Sequence, residues 1–285
     1  MAVDLSVVIP CYNEQATLPA VVRRVVAAPP QDKTREVIVV DDGSSDDSRE
    51  IARELARQYQ EVKTFSHESN QGKGAALRTA QAHCTGDIVI IQDADLEYKP
   101  DNYPELIDPI ISGKADVVYG SRFAGGRCRR VLLFWHEVGN RFLTLLSNMT
   151  TNLNLTDMET CYKVFKGAYF RAIPIVSNTF CFEPEITAKV AKLGLRVYEV
   201  PVDYHGRDYD AGKKIGWVDG FWAIFAILRF WVFGAVEEKL GVHGAAEGVA
   251  EPRLNQLANR ARCEVPPHAA RQVTERRETY MGQSG

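Results

Sequence analysis

Short apolar runs alternate with longer amphipathic stretches along the first half of the chain. The runs predict five strands, at Leu5–Ile9, Val37–Val40, Val62–Phe65, Ile88–Ile91 and Val117–Tyr119. Apolar residues recur at helical spacing between these runs, in Glu14–Ala27, Asp46–Tyr59, Gly74–His83 and Asp101–Ser112. This alternation predicts an α/β fold with a doubly wound, mostly parallel sheet and helices on both faces. Ligands of such sheets bind beyond the carboxyl ends of the strands.

The second half of the chain has a less regular pattern. It predicts helices at Leu132–Asn148 and Glu183–Leu193, strands at Cys161–Phe165 and Arg196–Val202, and then the apolar stretch Trp217–Val236. The longest apolar run in that stretch is interrupted by Arg229. It is shorter than the about 20 residues that a membrane-spanning helix needs, so we predict no membrane-spanning helix. We predict one domain over residues 1–236, with 217–236 as a candidate membrane-interface helix, and a polar, flexible tail over 237–285.

Composition narrows the class of protein. A chain of 285 residues with 45% hydrophobic content can form one large domain. Its net charge of -3 gives no basic excess, so we expect no nucleic-acid partner. The 6 cysteines form no CxxC pair and no His/Cys ligand spacing, which favours reduced thiols in a cytosolic protein over a zinc site or a disulfide framework. The N-terminus enters a strand at once and shows no signal-peptide pattern.

Polar motifs follow three of the predicted strands, namely Pro10–Glu14, Asp41–Asp46 and Gln92–Glu97. Each motif is weak alone, because Asp-Asp-Gly-Ser is also an ordinary turn with a helix cap and Asp-x-Asp often occurs by chance. If the chain stays extended after its strand, Asp93 and Asp95 point the same way. Two convergent carboxylates suit Mg²⁺ or Mn²⁺, and such an ion can bridge the diphosphate of a nucleotide.

Two further features add candidate nucleotide contacts. Asp42, at a neighbouring strand end, can accept hydrogen bonds from a nucleobase or a ribose. Asn70–Gly74 precedes a predicted helix, so its glycines and Lys73 are placed to approach phosphate. A plain helix start explains Asn70–Gly74 equally well.

Together these motifs resemble the family 2 glycosyltransferases, in the branch similar to dolichyl-phosphate mannose synthase and other polyprenyl-phosphate glycosyltransferases. The matching segments, in family order, are Val8–Glu14, Val39–Asp46, Asn70–Ala76, Gln92–Glu97 and Gly120–Arg122. The resemblance spans roughly residues 4 to 235. It implies a GT-A fold and an inverting transfer of a hexose from GDP-mannose or UDP-glucose to a polyprenyl or dolichyl phosphate, with Mg²⁺ or Mn²⁺.

The resemblance also implies roles for single residues. It places four residues around the nucleoside: Pro10, Tyr12, Glu14 and Asp42. Asp93 and Asp95 match the metal-binding pair. Glu97 stands where the family often has Gln, and we expect it as a third ligand. Arg122 matches an arginine that binds the acceptor phosphate.

Acceptor-side features come from the second half. Asp157–Lys163 resembles the family segment that places Asp157 close to the reacting centre, and the match of the whole segment disfavours the alternative of a loop residue before a strand. Glu183 and Glu185 are either first-turn helix charges or sugar-hydroxyl contacts. The resemblance implies that three cations grip the donor diphosphate, the alternative being a solvated basic loop: Arg207, Lys213 and Lys214.

Aromatic and basic residues occur together in two stretches, which favours a peripheral contact with the cytoplasmic face of a membrane. Val131–Trp135 lies beside several arginines, and Trp222–Phe233 flanks Arg229. Buried core helices are the alternative. Arg122 and a second basic residue are expected to orient the lipid phosphate, the candidates being Arg127, Arg129, Arg130 and Arg141.

Three other functions stay open at this point. A family 2 transferase can act on a soluble or saccharide acceptor, and a nucleotide-sugar-binding protein can lack catalysis. A dinucleotide-dependent oxidoreductase is disfavoured, because Pro10–Glu14 stands where a GxGxxG motif is expected after the first strand.

Overall fold

A mixed, mostly parallel sheet forms the centre of the molecule. The computed structural model describes residues 4–30, 32–125, 133–206 and 217–233. The strands in these ranges are β1 (Leu5–Cys11), β2 (Arg35–Asp41), β3 (Val62–Ser66), β4 (Ile88–Ile91), β5 (Val117–Ser121), β6 (Lys163–Lys166) and β7 (Val197–Pro201). Their order across the 7-stranded sheet is β3-β2-β1-β4-β6-β5-β7. β6 runs antiparallel to β4 and β5, and the other neighbours are parallel.

Helices connect the strands and cover the sheet. They are α1 (Leu18–Ala27), α2 (Ser48–Gln58), α3 (Lys73–Gln81), α4 (Tyr103–Ile111), α5 (Phe134–Thr151), α6 (Gly167–Ala172), α7 (Phe182–Lys192) and α8 (Trp217–Phe233). A single 3₁₀ turn, Pro100–Asn102, leads into α4. The predicted α/β class and the predicted strand–helix alternation of the first half are confirmed.

The central strands are apolar on both faces because helices cover both sides of the sheet. Val7, Val8 and Ile9 of β1 are fully buried, as expected for a parallel strand in the middle of a doubly wound sheet. The register of the first two strands pairs Val8 with Ile38 and Cys11 with Asp41. The polar residues that follow β1 and β2 therefore start from the same edge of the sheet.

The structure corrects some predicted boundaries. The strand expected at Cys161–Phe165 is Lys163–Lys166, and the short helix Gly167–Ala172 after it was not predicted. The helix predicted to begin at Asp46 begins at Ser48, after the capping residue Asp47. The Asp46 carboxylate accepts a hydrogen bond from the Ser48 N–H at 3.0 Å.

Helices α5 and α8 both expose large apolar side chains. The buried residues of α5 are Thr144 and Ser147. Its exposed residues include six large apolar side chains: Phe134, Trp135, Val138, Phe142, Leu145 and Met149. Helix α8, which packs beside α5 and α7, exposes another set: Phe221, Trp222, Phe225, Leu228, Trp231 and Val232. Within the described ranges, neither these helices nor any other is long and apolar enough to span a bilayer.

Candidate active site

The acidic motif after β4 lies at the carboxyl edge of the sheet. Antiparallel pairing of β4 with β6 carries the segment before β6 past Asp93. Burial raises the pKa of the Cys161 thiol well above its ordinary value, and the nearby carboxylates of Asp93 and Asp95 raise it further. Both carboxylates therefore act electrostatically on the Cys161 thiol. The side chain of Asp93 is 25% exposed, so its carboxylate is accessible to a ligand.

Glu97 does not join Asp93 and Asp95 in a group of three ligands, because the chain does not stay extended after β4. Ala94 and Asp95 form a turn, and Leu96 adopts a left-handed backbone with φ of 62°. Such a conformation is rare for leucine and is often found at functional sites. The Oε2 atom of Glu97 accepts a hydrogen bond from the Tyr204 hydroxyl at 2.8 Å instead. Within the described ranges, no three His, Cys, Asp or Glu side chains are arranged to hold a metal ion.

Lys73 is the first residue of α3 and lies between two carboxylates. Its Nζ atom is 3.0 Å from Asp93 Oδ1 and 2.9 Å from Glu183 Oε1. Burial alone would lower the pKa of Lys73, but the charges of Asp93 and Glu183 outweigh it and hold the pKa well above the usual value. Lys73 is therefore a fixed cation beside the Asp93 carboxylate.

Three buried side-chain oxygens of α7 and of the segment before β6 find no hydrogen-bond partner in the part of the chain that the structure describes. They are Glu159 Oε1, Thr160 Oγ1 and Glu183 Oε2. Burial, followed by the charge of Glu183, raises the pKa of Glu159 to about 8. Lys163 is buried nearby and donates to the carbonyls of Met158 and Thr160. Buried polar atoms are nearly always paired, so these three oxygens are candidate acceptors for hydroxyl groups of a ligand.

Arg122 and Asp157 form a two-pronged pair at the end of β5. The Nε atom of Arg122 donates to Asp157 Oδ2 and its Nη2 atom to Oδ1, both at 2.7 Å. Burial would lower the pKa of Arg122, but the Asp157 carboxylate raises it well above its usual value. Because Arg122 occupies both of its oxygens, Asp157 is placed to orient Arg122.

Neighbouring residues hold this pair in place. Glu199 of β7 accepts the backbone N–H groups of Thr156 and Asp157. The Phe123 ring lies between two guanidinium groups, 5.6 Å from that of Arg122 and 5.7 Å from that of Arg141 on α5. Of the basic residues proposed to accompany Arg122, Arg141 therefore lies beside it across one aromatic ring.

The residues predicted around the nucleoside lie where β1 and β2 end. Pro10 pairs with Val40 within the sheet, and the Tyr12 side chain is 37% exposed just beyond it. The carboxylate of Glu14 is mostly buried and accepts the Thr17 hydroxyl at 2.6 Å. Asp42 is buried and accepts hydrogen bonds from the segment that follows β3. Tyr12 is thus the most accessible of these four side chains.

Several predicted site residues lie outside the described ranges: Arg127, Arg129, Arg130, Arg207, Lys213 and Lys214. Conversely, Glu159, Tyr98 and Tyr204 belong to the site and were given no role by the sequence. The Tyr98 hydroxyl accepts a hydrogen bond from the Cys161 N–H at 3.2 Å, and the centre of the Tyr204 ring lies 5.2 Å from the Arg122 guanidinium. The one sequence signal for Glu159 is its place two residues after Asp157.

Comparison with known proteins identifies the family. Residues 6–173 match the model of "Glycosyl transferase family 2". The dolichyl-phosphate beta-glucosyltransferase ALG5A of Trichomonas vaginalis is 28% identical over 82% of this chain and 76% of its own. The undecaprenyl-phosphate 4-deoxy-4-formamido-L-arabinose transferase of Edwardsiella ictaluri is 32% identical over 73% of this chain. This chain spans 62% of that second relative.

A solved structure shares the fold. Glucosyl-3-phosphoglycerate synthase from Mycobacterium tuberculosis, in complex with Mn²⁺, UDP and phosphoglyceric acid, superposes with a TM-score of 0.61. The match is 22% identical and covers 81% of this chain and 78% of that chain. At this level of identity the likeness concerns the fold, and it confirms the predicted GT-A architecture.

Proposed function

Because this chain belongs to glycosyl transferase family 2, we propose that it transfers a hexose from a nucleotide sugar to a polyprenyl phosphate. One observation carries the proposal: a single edge of the sheet holds an acidic site with a fixed cation, at Asp93 and Lys73, and a buried arginine fork at Arg122. The first suits a nucleoside diphosphate with a divalent ion, and the second suits a phosphate monoester. The relatives named for dolichyl and undecaprenyl phosphate support this acceptor.

The acidic site fits a divalent cation. Mg²⁺ and Mn²⁺ prefer oxygen ligands, and Mg²⁺ is usually held by one or two carboxylates together with substrate phosphates. Asp93 and Asp95 supply two partly exposed carboxylates just after β4. Such an ion would neutralise charge on the departing diphosphate. The proposed ligands are thus Asp93 and Asp95, without Glu97.

The transferred sugar is proposed to lie against Glu183 and Glu159. The unpartnered oxygens of both side chains, with the Thr160 hydroxyl, offer acceptors for sugar hydroxyl groups. Lys73, held between Asp93 and Glu183, links this sugar site to the diphosphate site. The nucleoside is proposed to extend toward Pro10, Tyr12 and Glu14 at the ends of β1 and β2.

In the proposed reaction, an oxygen of the acceptor phosphate attacks the anomeric carbon. The bond from that carbon to the diphosphate oxygen breaks, and the nucleoside diphosphate leaves with its electron pair. A phosphate monoester is already anionic near neutral pH, so orientation and charge neutralisation matter more than a strong base. Arg122, held by Asp157, is proposed to supply both the orientation and the charge neutralisation. Arg207, Lys213 and Lys214 are proposed to bind the donor diphosphate.

We propose that the exposed apolar faces of α5 and α8 rest on the cytoplasmic surface of the membrane that carries the acceptor. Contiguous exposed apolar patches mark interaction surfaces, and aromatic side chains favour the bilayer interface. Trp135 is 78% exposed and Trp222 58% exposed on neighbouring helices. Arg141 lies on the same helix as Trp135 and faces Phe123, beside Arg122. A lipid phosphate at this surface would therefore meet the arginine fork.

Transfer of labelled sugar tests the proposal. Purified full-length chain is mixed with Mn²⁺, labelled UDP-glucose or GDP-mannose, and vesicles that contain undecaprenyl phosphate. Label in the organic phase, dependent on undecaprenyl phosphate, is the expected result. Label only in an aqueous saccharide product would favour a soluble acceptor. No turnover of either donor would contradict the proposal for these sugars.

A further inference from the structure

The inner face of α5 holds both ends of the short segment 155–158. This segment belongs to no helix or strand, so its backbone N–H groups need partners outside a regular ladder. Asn148 of α5 accepts the Leu155 N–H at 3.1 Å and donates to the Leu155 carbonyl at 2.8 Å. Thr144, one helical turn earlier, accepts the Met158 N–H at 3.1 Å. Both ends of the segment are therefore fixed to one helix.

The middle of the same segment is held by β7. Glu199 accepts the Thr156 N–H at 2.8 Å and the Asp157 N–H at 3.2 Å. All four consecutive N–H groups of the segment thus donate to side chains, the outer two on α5 and the inner two on β7. We call the three side chains that accept these groups the backbone clamp: Thr144, Asn148 and Glu199.

The backbone clamp fixes the carboxylate that holds Arg122. Besides the two bonds from the Arg122 side chain, Asp157 Oδ2 accepts the Arg122 backbone N–H at 3.0 Å. Three bonds join one arginine to one carboxylate, so the place of the guanidinium follows the place of Asp157. A shift of the clamped segment would therefore shift the arginine fork. Misplacement of a positioning group by about 1 Å can lower a rate by about a hundredfold.

Helix α5 turns the clamp and the exposed apolar residues to different faces. Asn148 and Thr144 are four residues apart, as is Asn140 from Thr144, so these polar side chains follow one face of the helix. Asn140 lies 3.4 Å from Asp157 Oδ1 and extends the contact with the clamped segment. The apolar residues that follow the roughly opposite face are Trp135, Val138, Phe142, Leu145 and Met149.

We propose that Asn148 is a positioning residue, which holds Asp157 and hence Arg122 at a fixed place relative to the exposed apolar face of α5. The proposal rests on the proposed function, which gives Arg122 a lipid phosphate to bind. The phosphate of a lipid anchored in a bilayer lies at the bilayer surface, so the site that receives it must stand at a set height above the membrane-contact face. A single helix that carries both the contact face and two members of the backbone clamp sets that height.

Hydrogen exchange of the full-length chain tests the clamp without any substrate. Asn148→Ala should speed exchange of the Leu155 amide at least about tenfold, while the amides of β1 stay protected. Gln81→Ala is the matched control, because Gln81, the last residue of α3, also holds a loop through its side-chain amide, which donates to the Ile173 carbonyl at 2.7 Å. It should leave the Leu155 amide unchanged. Unchanged exchange of Leu155 in Asn148→Ala would overturn the proposal.

Transfer kinetics test the action on the acceptor site. With a short-chain, water-soluble polyprenyl phosphate, Asn148→Ala should lower kcat/KM for the acceptor by about 10- to 100-fold. The KM for the nucleotide sugar should change by less than about twofold, and Gln81→Ala should keep the wild-type values of both.

Two results of this assay would overturn the proposal. A loss seen only with acceptor in vesicles would show that Asn148 acts on membrane binding. A fall in kcat with both KM values unchanged, as a smaller folded fraction gives, would show a purely structural role. If the wild-type chain transfers no sugar, the proposed function fails, and hydrogen exchange still decides whether the backbone clamp holds the segment.

Discussion

Helices α2 and α5 both lie on the surface, but they turn opposite faces outward. Helix α2 buries Ala52 and Leu55 and exposes charged residues, including Arg53 and Glu54. Helix α5 buries Thr144 and Ser147 and exposes large apolar side chains. Apolar area is unfavourable in water, so a helix that faces water should turn charged residues outward, as α2 does. The face of α5 is the one expected of a helix that meets an apolar medium.

The same contrast separates the two halves of the proposed reaction. Helix α2 follows the Asp41–Asp46 motif on the donor side of the sheet, where a water-soluble nucleotide sugar must enter. Helix α5 lies beside Arg122 and Asp157, since Asn140 of α5 is 3.4 Å from Asp157. A single edge thus joins a water-facing donor side to an acceptor side whose exposed face is apolar. The predictions below change one side at a time.

The largest effect is expected on the donor side, from Asp93→Asn. This substitution keeps the shape of the side chain but removes the charge that faces Lys73 and the proposed metal ion. Electrostatic groups that stabilise a departing anion are worth about 10²–10³ in rate, and we expect a loss of that size in kcat. A transfer assay with Asp101→Asn, an exposed acid of the same half, should show wild-type rates. Equal rates in the two variants would contradict the role of Asp93.

The next effect is expected from Arg122→Lys on the acceptor side. Lysine keeps the charge but cannot make the two parallel bonds to Asp157. Transfer should fall about a hundredfold, and the free energy of unfolding by about 1–3 kcal/mol because a buried carboxylate loses a donor.

Arg196→Lys is the matched control for that variant, because Arg196 grips Asp116 with the same two-pronged geometry, at 2.9 Å for both bonds, away from the site. It should lose stability in denaturant unfolding and keep its transfer rate. A similar loss of transfer in both variants would show that the effect at Arg122 is one of folding.

Membrane contact is expected to change by a smaller factor. Replacing Trp135 and Phe142 of α5 together with serine removes two exposed aromatic side chains from the proposed contact face. Full burial of one such side chain is worth about 1.5–3 kcal/mol, so we expect at least about tenfold weaker sedimentation with vesicles. The rate with a short-chain, water-soluble polyprenyl phosphate analogue should stay unchanged.

A paired change on α2, Arg53→Ser with Glu54→Ser, keeps the net charge and serves as the comparison. It should leave vesicle binding as it is in the wild type. Equal vesicle binding by the α5 and α2 variants would remove the distinction between the two helices.

The pH dependence of stability should reveal the buried acid Glu159. Its folded pKa of about 8 lies above the ordinary value of 4.5, so the folded state binds more protons and stability falls as pH rises between these values. Glu159→Gln removes this loss. Between pH 5 and pH 8, thermal unfolding should show the free energy of unfolding of the variant rising relative to that of the wild type, by an amount on the order of 1 kcal/mol or more. A difference that does not change with pH would contradict the raised pKa of Glu159.

The smallest effect is expected from Thr144→Val, inside α5. The Thr144 hydroxyl accepts the buried Met158 N–H at 3.1 Å, and valine leaves that donor unpaired. Unfolding in denaturant should show a loss of about 1–3 kcal/mol, with vesicle binding intact. A stabilised variant would mean that the inner face of α5 is not held by polar contacts.

The local fold of the donor side follows from the sequence more directly than that of the acceptor side. Strands such as Ile88–Ile91 and helices such as α2 follow from local apolar periodicity, and Asp93 and Asp95 lie at the carboxyl edge of the sheet, where the strand-end rule places ligands. The extended chain assumed after β4 was wrong, because the left-handed Leu96 turns Glu97 toward Tyr204. No local pattern indicates a left-handed leucine, since its conformation is imposed by packing.

On the acceptor side, the missing information was tertiary. The spacing of Phe134, Val138 and Phe142 predicts a helix, but periodicity alone does not say which face meets the protein. The bridging of Arg122 by Asp157 joins residues 35 positions apart, and the charge that acts on Glu159 comes from Glu183 on a different element, α7. Contacts of this range are set by the sheet and not by neighbouring residues.

The most direct test of the account is calorimetric titration of UDP and of GDP into the full-length chain, with Mn²⁺ and then with EDTA. The account predicts that one nucleotide binds with Mn²⁺, and that EDTA or Asp93→Asn weakens this binding at least about tenfold. Binding of equal strength in Mn²⁺ and in EDTA, unaffected by Asp93→Asn, would contradict a metal-held diphosphate at this edge of the sheet.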